Sequence, residues 1–125
     1  MSRTETSADR TTVEFPASAG YRSVGRLVLG GVAARVELPI DRVDDLLLAV
    51  DSLLLQQPAG DTVRLEAEAT ATGLRVRVGG FKPGQADEPG VRRVLARLVD
   101  EVREERDGHG AVVELVVSTT KRAGT

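Results

Sequence analysis

The chain has 125 residues, 41% hydrophobic and 29% charged, with a net charge of −2 and no cysteine. That composition fits one globular domain large enough to build a core without staples, and it excludes disulfide and thiolate chemistry. The charges are interspersed and the aromatics are only Phe15, Tyr21 and Phe81, which leaves neither a basic footprint nor a base-stacking platform for nucleic acid.

No apolar run approaches the roughly 18 residues of a membrane span, and the polar stretch from Met1 to Arg10 lacks the apolar core of a signal peptide. No membrane contact and a cytoplasmic location are therefore expected. Met1 to Thr11 is rich in Ser, Thr and charge and reads as a disordered tail. A single domain is expected over residues 12–121, with a second short tail over 122–125.

Thr12 to Pro16 alternates, with Val13 and Phe15 on one side, and reads as a short strand ended by proline. Ser18 is placed to cap a helix from about Ala19 to Arg35, with Val24, Leu27, Val28 and Val32 as its apolar face. Gly25, Gly30 and Gly31 lie inside that helix, so it either packs closely on its neighbours or breaks near Gly30. Asp41 is a good N-cap for a second helix, whose stripe of Val43, Leu46, Leu47, Val50, Leu53 and Leu54 ends near Gln57, before Pro58. Two alternating runs follow. Val63, Leu65 and Ala67 face one way, as do Leu74, Val76 and Val78 after a turn at Thr72-Gly73, which describes an antiparallel hairpin with one wet face. On that face Glu66 and Glu68 either stay solvated or pair with Arg75 and Arg77.

Gly79 to Gly90 reads as a loop. Val91, Val94, Leu95, Leu98, Val99 and Val102 predict a third helix ending near Arg106, with Asp87 and Glu88 placed to cap its start. Asp107 to Gly110 is a turn and Ala111 to Thr119 a last strand. The order β-α-α-β-β-α-β predicts an α+β fold: a two-layer sandwich of an antiparallel (or mixed) sheet with three helices on one face. The lone His109 in its glycine turn cannot assemble a metal site. Gly79, Gly80 and Gly84 are not followed by the Gly-Lys-Ser/Thr of a phosphate loop.

With its spacings, this order resembles the bacterial anti-sigma-factor serine kinases, members of the histidine-kinase-like ATPase superfamily (the Bergerat fold). The resemblance covers about Val13 to Lys121. It is carried by Val13-Glu14-Phe15-Pro16-Ala17 with Arg26 on the following helix, by Asp44-Asp45-Leu46-Leu47-Leu48-Ala49-Val50, by Leu98-Val99-Asp100-Glu101-Val102 on the last helix, and by Gly110 with the closing strand to Lys121.

The family's nucleotide chemistry lies in three boxes, and each departs here. Where the second helix carries a Glu base and, four residues on, a Mg²⁺-binding Asn, this chain has Ser52 and Gln56. Asp51 is about 100° around the helix and does not substitute. Where an Asp accepts the adenine amino group, Val78 runs into Gly79-Gly80-Phe81. Where a glycine-rich turn offers N–H groups to phosphate, Pro89-Gly90-Val91-Arg92 removes one donor and adds bulk.

The resemblance therefore implies a degenerate member without nucleotide cofactor, bound metal or catalytic residue. Such a regulator would act by binding a sigma factor or an anti-anti-sigma factor, as a homodimer, through Arg26 and the neighbouring Arg22. The alternatives are a weak ATP-dependent serine/threonine kinase of the anti-sigma type and a scaffold module with the same fold.

Overall fold

A computed structural model describes residues 3–6, 10–56, 60–108 and 110–119. The elements run β1 (Arg3–Thr6), β2 (Arg10–Pro16), α1 (Arg22–Arg35), α2 (Ile40–Leu54), β3 (Thr62–Ala69), β4 (Gly73–Phe81), α3 (Pro89–Leu98), β5 (Glu101–Asp107) and β6 (Gly110–Ser118), with single 3₁₀ turns at Ala19–Tyr21 and Gln85–Asp87. The strands form one six-stranded sheet in the order β1-β2-β3-β4-β6-β5. Every neighbouring pair is antiparallel.

The period-2 alternation of each inner strand decides which face is wet. Phe15, Leu65, Val76 and Leu115 are buried on one side, in the same core as Leu29 of α1, Leu46 and Leu53 of α2, and Leu95 of α3. The opposite face carries the charges. The result is a two-layer α+β sandwich with the three helices on one face of the sheet.

Two elements differ from the sequence expectation. The third helix stops at Leu98, not near Arg106, because Val99 turns to an extended conformation (φ −126°, ψ 165°) and Glu101–Asp107 pairs with β6. Val102 fits either period: it opposes Leu115 across the strands. At the other end Arg3–Thr6, read as part of a disordered tail, pairs with β2 as an edge strand. Lesser shifts occur at the helix starts. Tyr21 and Pro39 precede α1 and α2 without a side-chain cap, and Asp41 lies in the first turn of α2 instead of capping it.

Helix α1 runs unbroken past Gly30. Close packing explains only Gly25, where an added Cβ would lie 3.4 Å from the Phe15 ring; at Gly30 and Gly31 it would meet nothing. Leu27 does not join the apolar face. It lies about 200° from Leu29 and is 78% exposed.

On the wet face Glu68 does pair with Arg75, at 2.8 Å, while Arg77 pairs with Glu105 and Glu66 lies 3.8 Å from Arg10.

A buried charge locks the helical layer to the sheet. The Arg42 side chain, 4% exposed, occupies an inward position of α2 and donates to Asp45 at 3.0 Å and to Asp100 at 2.9 Å. Asp100, in the α3–β5 link, also accepts the Ser118 N–H at 2.8 Å. One carboxylate thus joins the start of α2, the end of α3 and the end of β6.

Candidate functional site

Two places follow from the sequence: the α1 surface with Arg22 and Arg26, and the three box positions around α2 and α3. On α1 the Arg26 side chain is 46% exposed and forms an ion pair with Asp51 of α2. The head reaches solvent, but beside a carboxylate. Arg22, one turn earlier, makes no ion pair among the described residues. The basic patch is therefore one unpaired arginine and one shared with an acid. Exposed Leu27 and the bare backbone at Gly30 and Gly31 complete the outward surface of this helix.

The first and third boxes come together. Helices α2 and α3 run antiparallel, since Arg42 at the start of α2 meets Asp100 just past α3, while Ser52 and Gln56 lie beside the start of α3. The hollow between them has a volume of about 280 Å³ and is lined by Ser52, Leu55, Gln56, Glu88, Gly90, Val91 and Val94. Two of its polar groups are already committed. The Ser52 hydroxyl donates back to the Leu48 carbonyl at 2.9 Å, as serines within helices do. The Gln56 backbone carbonyl accepts from the Gln85 side-chain amide.

At the start of α3, where partial positive charge and free N–H groups gather, Glu88 is the N-cap, as the sequence suggests. Its carboxylate accepts the Val91 N–H at 3.0 Å and lies over Gly90, 3.1 Å from where a Cβ would stand. The Val91 and then the Gly90 N–H groups hold this carboxyl below its ordinary range. The chain places its own anion at the helix end. Asp87 does not share the capping; it lies 3.3 Å from the Arg92 guanidinium.

The second box does not join them. Gly79 alternates outward from Val78, on the wet face of the sheet, and lines hollows there together with Val112; the buried residues flanking it are Val78 and, past a register shift, Phe81.

The loop between β4 and α3 is strapped down. The Gly84 N–H, with φ +83°, reaches both carboxylate oxygens of Glu104 at 3.1 Å. The roles of Glu104 and Arg42 were not evident from the sequence. The one available signal was Arg42 itself, a charge in the apolar stripe of α2.

Among the described residues no three His, Asp or Glu side chains are grouped to hold a metal ion, and no helix is long and apolar enough to cross a membrane. His109 and Lys121 lie outside the described residues. No protein-family model matches the chain, and no curated protein matches it.

Proposed function

We propose that the chain is a non-catalytic regulator of the anti-sigma type, acting by protein–protein binding on a histidine-kinase-like ATPase scaffold that no longer takes nucleotide. The observation that carries this reading is the Glu88 carboxylate on the start of α3. A phosphate there would have to displace a tethered anion and then sit beside it. The committed Ser52 hydroxyl, and the placement of Gly79 on the other face of the sheet, add support.

By the resemblance, the partner is a sigma factor or an anti-anti-sigma factor, the contacting surface is α1 with Arg22 and Arg26, and the chain pairs as a homodimer in the cytoplasm.

Nucleotide is the first test. A ligand at 100 times its dissociation constant stabilises a protein by about 2.7 kcal/mol, which moves the melting temperature of a domain this size by several degrees. Millimolar Mg-ATP should produce no shift. A reproducible rise of that size overturns the proposal in favour of a kinase.

The partner is the second. After capture of a binding protein from lysate, Arg26→Ala should weaken its binding by about 2–5 kcal/mol if the arginine becomes buried at the interface, roughly 30- to 4000-fold in affinity. Arg26→Lys keeps the charge without the fork and should fall between. The fold should be little affected, because a half-exposed pair such as Arg26–Asp51 contributes about 0–1 kcal/mol. Wild-type affinity in both variants, measured by titration calorimetry, removes α1 as the contact surface.

A further inference from the structure

The outer surface of the helical layer, on the side away from the sheet, carries exposed apolar side chains. Leu48 and Leu55 of α2 are each more than half exposed. They are two helical turns apart, so they stand within about 20° of each other around α2 and about 10 Å apart along it. Val94 of α3 is exposed as well and shares the α2–α3 hollow with Leu55 and Val91. Apolar side chains thus line one groove between two antiparallel helices. Clustered apolar exposure of this kind marks an interaction surface, whereas single exposed residues do not.

The charges beside the groove are sorted. Helix α3 holds Arg92, Arg93 and Arg97 and no acid. Arg92 is matched by Asp87, but Arg93 and Arg97 are exposed, lie one turn apart, and make no ion pair or hydrogen bond among the described residues. The Glu88 carboxylate at the start of α3 is spent on the Val91 N–H, and Asp51, on the other flank of α2, is spent on Arg26. Asp41 and Asp44 are exposed in the first turns of α2 and make no ion pair among the described residues either. The α3 flank of the groove is therefore basic, and one end of the α2 flank is acidic.

We propose that this groove docks an amphipathic helix of a partner protein. The apolar face of that helix packs on Leu48, Leu55 and Val94, its acidic flank runs over Arg93 and Arg97, and a basic end meets Asp41 and Asp44. A helix suits the place better than a strand: the backbone groups of α2 and α3 are spent within the helices and offer nothing to the N–H and C=O groups of an added strand. The free arginines favour an acidic occupant over a neutral one, because each is a fork of donors for carboxylate. The docking rests on the protein-binding reading, since it needs a partner, but its face lies apart from Arg22 and Arg26.

A designed, fluorescein-labelled peptide of about 18 residues serves as probe, titrated with the full chain and followed by fluorescence anisotropy. It carries leucines at i, i+3, i+4 and i+7 spacing, glutamates along one flank and lysines at one end. Its dissociation constant should be on the order of 100 μM. The same peptide with its glutamates replaced by lysine, or its leucines by alanine, should bind at least about tenfold more weakly. Leu48→Ser with Leu55→Ser should abolish binding, and Arg93→Gln with Arg97→Gln should weaken it about tenfold. All four positions are exposed, so the fold should survive these changes, and the lysine peptide tests the same charge match on the unaltered protein.

No saturable binding up to about 2 mM, equal affinity for the lysine or the alanine peptide, or undiminished affinity in either double variant would each overturn the proposal. So would a chain that self-associates and that Leu48→Ser with Leu55→Ser makes monomeric in sedimentation, which assigns the groove to a second copy. None of these results bears on the Mg-ATP shift or on Arg26→Ala, so the groove and the regulator reading fail separately.

Discussion

Replacing Asp100 by Ala should cost about 3–5 kcal/mol of unfolding free energy, because it leaves a buried guanidinium without its main partner. Arg42 is 4% exposed and Asp100 12%, so water cannot take over the lost contact. The Ser118 N–H loses its acceptor in the same step, a further desolvation cost. Asp45 remains on Arg42 at 3.0 Å but is the more solvated partner, so it offsets only part. The pair itself need not stabilise the fold. Taking both charges out of water is expensive, and apolar replacement of both groups is often neutral. Arg42→Met with Asp100→Leu should therefore recover the part of the loss due to the stranded guanidinium, while the Ser118 N–H stays without its acceptor. Urea unfolding of the three proteins measures this. A single mutant within about 1 kcal/mol of wild type would mean that Asp45 alone satisfies Arg42.

Leu95→Ala is the second large effect, at about 2–5 kcal/mol. Leu95 is completely buried in the middle of α3, where the helix covers the sheet. Truncation forfeits its transfer free energy and leaves a cavity that the neighbouring strands, fixed by their ladders, cannot close. At roughly 4 °C or more per kcal/mol for a domain near this size, the melting temperature should fall by at least about 8 °C. A stability loss under about 1 kcal/mol would mean that α3 is not held against the core.

Both sites bear on what the sequence could disclose. Helix α2 and the β3–β4 hairpin were legible because their apolar residues keep one period throughout. The stretch after Leu98 was not. Val99 and Val102 continue the 3.6 spacing of α3, while the alternation of β5 is masked by Glu104, a carboxylate at an inward position. Its side chain is 8% exposed because it serves the Gly84 N–H. A charge used inside looks, in sequence, like a charge meant for water.

Leu27 misleads in the opposite way: an apolar residue beside Val28 reads as part of the core face, yet it points outward. Of the site positions, helical spacing places Ser52 and Gln56 together. The acids before Pro89 mark the start of α3, but which of them caps depends on where the first turn begins, and boundaries are what periodicity defines least. The outward direction of Gly79 depends on strand β4 continuing to Phe81, through a stretch whose glycines read as loop.

The ladder between β2 and β3 sets a condition on how the chain reaches this fold. It pairs Pro16 with Thr62 and Arg10 with Glu68, so it can close only after both α1 and α2 have been laid back across the gap. The β3–β4 and β5–β6 hairpins close over short turns. Loop-closure entropy is small for them and larger for β2. Assembly should therefore start in the C-terminal half, with the N-terminal strands docking last onto an exposed edge of β3. Until they do, that edge presents unpaired N–H and C=O groups to other chains, and the interval is prolonged by the long-range contacts that slow such topologies.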